Sequence, residues 1–235
     1  MRRWQGTGLA AGRRSASATS SSFTIPAGEP RHMIGILGGT FDPVHLGHLT
    51  AAEQVQRVAR LEEVWLMPNA RPPHKVDGPY ASAQDRLAMV ELAVQERPGL
   101  RASDLEVRRG GVSYTVDTLA ALASSFPGAT FALLLGYDAA LQIRSWHRVD
   151  DLLRAAHFAI FERPSVELKE SDVYALGFPP ERTQFLRIHT PAIAAHEIRA
   201  RLQSGKSVNG LLPPSVAAYI YEHELYGARR KPVGV

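Results

Sequence analysis

A chain of 235 residues and 25.7 kDa is long enough to bury one full hydrophobic core without disulfide or metal staples. With 45% hydrophobic and 21% charged residues it reads as globular. No stretch approaches the roughly 20 apolar residues of a membrane-spanning helix, and zero cysteines exclude disulfides, thiolate metal sites and a cysteine nucleophile. The formal charge of +4 resides at the ends, with +4 over residues 1–32, +3 after Tyr226 and about −3 between them, so the body is no basic surface for nucleic acid. These features suit a cytoplasmic protein that engages neither nucleic acid nor membrane, and they leave a homo-oligomer open.

Residues 1–32 are rich in Ser, Ala, Gly and Arg, include the run Thr19-Ser20-Ser21-Ser22, and carry no apolar period that a core could use. They are expected to be a disordered extension, either organelle-transit-like or simply placed ahead of Met33, where the first strand-like run begins. From there, apolar runs at 33–38, 63–67, 130–135 and 157–161 read as buried strands alternating with amphipathic helical stretches. That alternation predicts an α/β fold, a parallel sheet wrapped by helices, with one domain over 33–235. Ser82-Ala83-Gln84-Asp85 offers a helix cap, and Leu87, Val90, Ala93 and Val94 follow at helical spacing, a pattern expected of scaffold.

The most informative segment is Gly38-Gly39-Thr40-Phe41-Asp42-Pro43-Val44-His45-Leu46-Gly47-His48, which follows the first strand and opens a helix running toward Ala59. Glycines after a strand let a ligand approach the backbone, and a helix start offers unpaired amides and partial positive charge to an anion. His45 and His48, three residues apart, share one helical face. Two ordinary histidines in a turn, or a zinc pair, are the alternatives; the third ligand a zinc site needs is not evident.

At these positions the chain resembles the nucleotidylyltransferase superfamily, matching its pattern Gly-x-Phe-x-Pro-x-His-x-Gly-His with Gly39, Phe41, Pro43, His45, Gly47 and His48. Further segments are similar, in order, to the family of bacterial nicotinate-nucleotide adenylyltransferases: Pro68 to Lys75, Ser113-Tyr114-Thr115, Gly136-Tyr137-Asp138, Trp146, Glu162-Arg163-Pro164 and Ile198-Arg199. The resemblance implies a Rossmann-like doubly wound parallel sheet and adenylyl transfer from ATP to nicotinate mononucleotide, giving nicotinic acid adenine dinucleotide and pyrophosphate, with Mg²⁺ held by phosphates and no protein metal site. It places Gly38, Gly39, Thr40, Phe41, His45, Gly47, His48, Gly136, Asp138, Ile198 and Arg199 at ATP, with His45, His48 and Arg199 catalytic. Lys75, Tyr114, Thr115 and Trp146 then belong to the acceptor.

Each residue also has a plainer reading. Trp146 taken alone is a core residue, Asp138 a helix N-cap, Lys75 a solvated charge and His196 a solvent-facing helical residue. Ala194 and His196 stand where the family places Ser or Thr, which removes a hydroxyl contact to phosphate. Other acceptors of the same chemistry, such as nicotinamide mononucleotide or phosphopantetheine, compete with the leading reading. So does a nucleotide sensor without turnover, although the intact histidine pair argues against it. A class I aminoacyl-tRNA synthetase shares a related His-x-Gly-His pattern, but the chain lacks room for an anticodon-binding domain.

Overall fold

The computed structural model describes residues 33–73, 78–162 and 168–229, so the expectations for the first 32 residues and for Lys75 and Arg163 fall outside it. Six strands form one parallel sheet: β1 (Met33–Gly39), β2 (Glu63–Pro68), β3 (Leu100–Ala102), β4 (Thr130–Gly136), β5 (His157–Phe161) and β6 (Thr183–Leu186). Their order is β3-β2-β1-β4-β5-β6, the doubly wound arrangement. The four strands read from apolar runs occupy its centre. The structure adds the edge strands β3 and β6, which are short and show little apolar pattern: β3 buries only Leu100, and in β6 the buried ends are Thr183 and Leu186.

Between and after the strands lie α1 (Leu46–Val58), α2 (Ala83–Val94), α3 (Leu105–Arg109), α4 (Thr115–Ser125), α5 (Tyr137–Leu141), α6 (Val149–Ala155), α7 (Glu170–Ala175), α8 (Ala195–Gln203) and α9 (Pro214–Glu222). A 3-10 turn at Leu225–Gly227 follows. None of the described helices is long and apolar enough to cross a membrane.

The central strands read as unbroken apolar runs because they are covered on both faces. Alternate side chains feed opposite cores. Leu37, Leu66 and Leu134 pack with Leu49 and Val55 of α1, Met89 and Val90 of α2, Ile198 of α8 and Ile220 of α9. On the other face Ile36, Met67, Leu133 and Leu135 meet Leu122 of α4, Ala140 of α5 and Leu152 of α6. The Ser82 hydroxyl accepts from the Asp85 amide at 3.0 Å and caps α2, as its sequence predicts. The expected apolar face is corrected at one place: Leu87 is half-buried, and Arg86 takes the fully buried position beside Met89 and Val90.

The order in which successive strands are added reverses between β1 and β4: β2 and β3 extend the sheet to one side and β5 and β6 to the other. In open α/β sheets ligands bind outside the carboxyl ends of the strands at such a switch point. Gly38 and Gly39 end β1 there, and Gly136 ends β4.

Candidate active site

His45 is the N-cap of α1 and His48 its third residue. The His48 Nδ1 accepts from the His45 backbone N–H at 3.3 Å, which leaves the proton of a neutral His48 ring on Nε2. The two imidazoles stack, with centroids 3.6 Å apart and planes 24° from parallel. Phe41 sets its edge against His48 at 5.0 Å and is itself buried, so it supports the pair and offers a ligand little side-chain surface. Gly47 must lack a side chain: a Cβ there would lie 3.0 Å from the His45 Nδ1 and 3.4 Å from the Pro191 carbonyl oxygen.

His45, Gly47 and His48 line one of two cavities, and Gly38, Gly39 and Thr40 line the other. The smaller, about 280 Å³, is lined by Leu37, His45, Gly47, His48, Ala51, Phe161, residues 190–194 and Glu197. Two helix N-termini meet it. The first turn of α1 contains no acid, whereas that of α8 holds Glu197; the Ala194 carbonyl accepts from the Glu197 and Ile198 amides at 3.1 and 3.2 Å, but Ala194 has no side chain to cap the amides that open α8. A polyanion suits that setting. His196 is exposed and lines neither cavity, which matches its solvent-facing reading.

The larger cavity, about 610 Å³, is a size suited to a nucleotide. Gly38, Gly39 and Thr40 form one wall; Ser113, Tyr114 and Thr115, at the start of α4, face it together with Gln142, Trp146 and His147. A Cβ on Gly38 would meet nothing within 4 Å, so any larger residue there would project into open space that the glycine keeps clear. Trp146 is half-buried: it packs on the core of the α4–α6 face and also lines the cavity, so its packing role and its pocket role coexist. The Tyr114 ring lies against His147 at 4.2 Å.

Several residues that shape this site were not singled out from the sequence. Glu106 is a buried carboxylate at the cavity wall; its Oε1 accepts from the Thr118 hydroxyl at 2.6 Å, and Thr118 accepts from Arg109 at 2.9 Å. Arg86 donates to the Thr40 and Asn69 carbonyls at 2.8 and 2.7 Å, to the Ala70 and Ala81 carbonyls, and to Asn69 Oδ1. It thereby ties the loops after β1 and β2 to α2, and burial lowers its pKa against the opposing pull of Asp42 and Tyr226. The one sequence signal was a long cation on the apolar face of a helix, which needs buried acceptors.

The remaining sequence-derived positions fall as follows. Arg199 is half-buried on α8, its guanidinium 4.2 Å over the Tyr80 ring and donating to the Asp42 carbonyl at 2.6 Å. Ile198 is fully buried in the core, where its side chain seats α8. Gly136 is the N-cap of α5. Asp138 is exposed in the first turn of that helix, so the N-cap alternative for it is also corrected. Neither Gly136, Asp138 nor Arg199 lines either cavity; the structure gathers His45, Gly47 and His48 at the smaller and Gly38 to Thr40, Tyr114, Thr115 and Trp146 at the larger.

Residues 36–201 match the family model described as cytidylyltransferase-like. A relative from Oceanobacillus iheyensis, called a probable nicotinate-nucleotide adenylyltransferase, is 41% identical over 197 residues, covering 84% of this chain and 98% of that protein. A relative of the same name from Pseudomonas entomophila is 43% identical over 209 residues, covering 83% of this chain and 95% of its own length. The fold is shared with Plasmodium falciparum nicotinic acid mononucleotide adenylyltransferase complexed with NaAD, at a TM-score of 0.72 and 22% identity over 86% of this chain and all of that one. With the doubly wound sheet, the glycine-ended β1 and the paired histidines already in place, the chain belongs to the nicotinate-nucleotide adenylyltransferases of the cytidylyltransferase-like family.

Proposed function

We infer that the protein transfers the adenylyl group of ATP to nicotinate mononucleotide, releasing pyrophosphate and forming nicotinic acid adenine dinucleotide, a step of NAD biosynthesis. The observation that carries the reading is the stacked His45–His48 pair at the start of α1, lining the smaller cavity, while the loop from Gly38 to Thr40 that leads to it lines the larger one with Tyr114, Thr115 and Trp146. The names carried by relatives at 41% and 43% identity support the acceptor.

In the reaction an oxygen of the acceptor's 5'-phosphate attacks the α-phosphorus of ATP, the bond from that phosphorus to the bridging oxygen breaks, and pyrophosphate leaves with the electron pair. No protein nucleophile is required; bringing two anions into line and meeting the charge that builds on the leaving group are the chain's tasks. The His48 Nε2–H, the His45 ring and the amides around Gly39 and Thr40 supply fixed donors for that charge. Arg199 adds a guanidinium for the β- and γ-phosphates. Tyr114 and Trp146 give the pyridine ring flat surfaces, and the α4 N-terminus at Thr115 offers amides to its carboxylate.

Nucleotidyl transfer in this family generally uses a divalent metal with ATP, and we propose Mg²⁺. Among the described residues no group of three or more His, Cys, Asp or Glu is disposed to hold a metal ion, and the donors beside the smaller cavity are two imidazoles and Glu197. A hard cation prefers oxygen, so this donor set suits an ion carried by the triphosphate, whose charge it would offset. Lys75, two positions after Pro73 in the sequence, is proposed to meet the acceptor's phosphate. The catalytic domain is proposed to begin at Met33, in a cytoplasmic enzyme. Incubating the protein with ATP and each of nicotinate mononucleotide, nicotinamide mononucleotide and phosphopantetheine, and following pyrophosphate and product mass, tests the reading. Turnover is expected with the first, and release of pyrophosphate only with another acceptor would overturn the assignment.

A further inference from the structure

We propose that Asp42 and Tyr226 are positioning residues that together set the Arg199 guanidinium for its contact with ATP, an inference that rests on the phosphate role given to Arg199 above. Asp42 is 2% exposed and its carboxylate is fully engaged. Oδ1 accepts from the Tyr226 hydroxyl at 2.8 Å and from the Ala81 amide at 3.1 Å, and Oδ2 accepts from the Tyr80 amide at 2.8 Å. The carboxylate therefore fixes Tyr80, whose ring lies under Arg199, while the main-chain carbonyl of the same Asp42 takes the Arg199 Nη1 at 2.6 Å. Asp42 reaches Arg199 by two routes. Among the described residues its carbonyl is the one hydrogen-bond acceptor that guanidinium has, so the other N–H groups remain for a phosphate.

Tyr226 closes the arrangement from the far end of the chain. It sits in the 3-10 turn that packs on α8, the helix that carries Arg199, so this one turn touches both the helix and the loop whose relative placement matters. Backbone strain marks both ends of its bond to Asp42: Tyr226 has a φ of 57° and Phe41, next to Asp42, a φ of 50°, in the left-handed region that non-glycine residues enter at a cost. Strain of this kind persists where surrounding contacts over-determine the geometry, and it concentrates at functional sites. Burial first, and then the neighbouring Asp42, raise the ionisation of the Tyr226 hydroxyl far above the usual phenol range, so it stays a donor across working pH.

The test is titration calorimetry of the full chain with Mg-ATP and no acceptor, so that acceptor identity does not enter. Tyr226→Phe removes one hydroxyl and is expected to weaken ATP binding by about three- to tenfold, less than the full loss of a hydrogen bond to a charged group because the effect reaches ATP only through Arg199. In an Arg199→Ala background the same change is expected to have no further effect on ATP affinity, while any fall in melting temperature persists in both. Equal loss of affinity in both backgrounds, or lower melting temperature with unchanged affinity, would reduce Tyr226 to a structural residue and overturn the proposal. Should Tyr226→Phe fail to fold, Tyr80→Leu, at a position 71% exposed, removes the ring under Arg199 and must show the same dependence on Arg199. If Arg199→Ala binds ATP as the parent does, the phosphate role itself fails and the positioning proposal falls with it.

Discussion

The imidazoles of His45 and His48 lie 3.6 Å apart, centroid to centroid, at the mouth of α1, and the backbone N–H of the first is held by the ring of the second. That bond fixes the His48 ring and the stacking sets the His45 ring beside it, a preformed pair of the kind the proposed departure of pyrophosphate would need. Replacing either with alanine is expected to leave a folded protein and to lower turnover by about 10²- to 10³-fold, the usual consequence of removing one preorganised donor from a charged transition state. Steady-state kinetics beside circular dichroism decide the matter; activity within about threefold of the parent would remove the pair from the chemistry.

Ala194 caps α8 without a side chain that can accept from its first amides. Ala194→Ser would add such an acceptor, and a serine cap stabilises by about 0.5 to 2 kcal/mol relative to alanine. The same hydroxyl lies at the rim of the smaller cavity, so the KM for ATP is expected to fall by a fewfold alongside the rise in melting temperature. His196→Ala, on an exposed side chain, is expected to change neither. A rise in stability with no change in KM would show that the cap forms but that phosphate does not reach it.

Much of this was legible before any coordinates. The central strands are buried on both faces, so they print as continuous apolar runs, and the Gly38 to His48 segment combines backbone access with helix-start donors in a form few other tasks require. The edge strands were not legible: a three-residue strand with one buried side chain leaves no period to read. Nor were Arg86, Glu106 and Tyr226. Each acts through partners distant in sequence, Tyr226 bonding to a residue 184 positions away, and no local spacing encodes such a pair. Ile198 and Arg199 enter together through one resemblance, yet successive helical positions face different ways, and the side chain of the first is core while that of the second is half-buried over Tyr80.

Alkaline pH offers a test of the packing of α9 on α2. The Tyr219 hydroxyl donates to Asp85 at 3.0 Å, and burial, then that bond and the carboxylate charge, push its pKa up to about 12. Because the folded value exceeds the roughly 10 of an unfolded tyrosine, the contribution is fully present below pH about 10 and is lost as pH rises through the folded value. Urea unfolding at stepped pH should show stability declining above about 10, and Tyr219→Phe should show a shallower decline. Identical slopes for the two proteins would mean that Tyr219 titrates as it does in the unfolded chain.

The acceptor pocket carries the sharpest prediction. A nicotinate carboxylate presents acceptors only, matching amides at the start of α4, whereas the nicotinamide group turns an NH₂ toward donors and leaves one unpaired. Such a mismatch in a partly dry pocket costs about 1 to 3 kcal/mol per group, which is about tenfold per 1.4 kcal/mol, so kcat/KM should favour the acid by at least one order of magnitude. Equal values for acid and amide would reject the placing of the carboxylate at Thr115 without touching the histidine chemistry. Trp146→Ala separates the two substrates in another way. One side of that indole is committed to the core and the other to the larger cavity, so its loss should raise the KM for the mononucleotide well beyond that for ATP, with some fall in melting temperature from the emptied packing. A melting-temperature loss with both KM values unchanged would assign Trp146 to the core alone, and a rise confined to ATP would place adenine, rather than pyridine, against the indole.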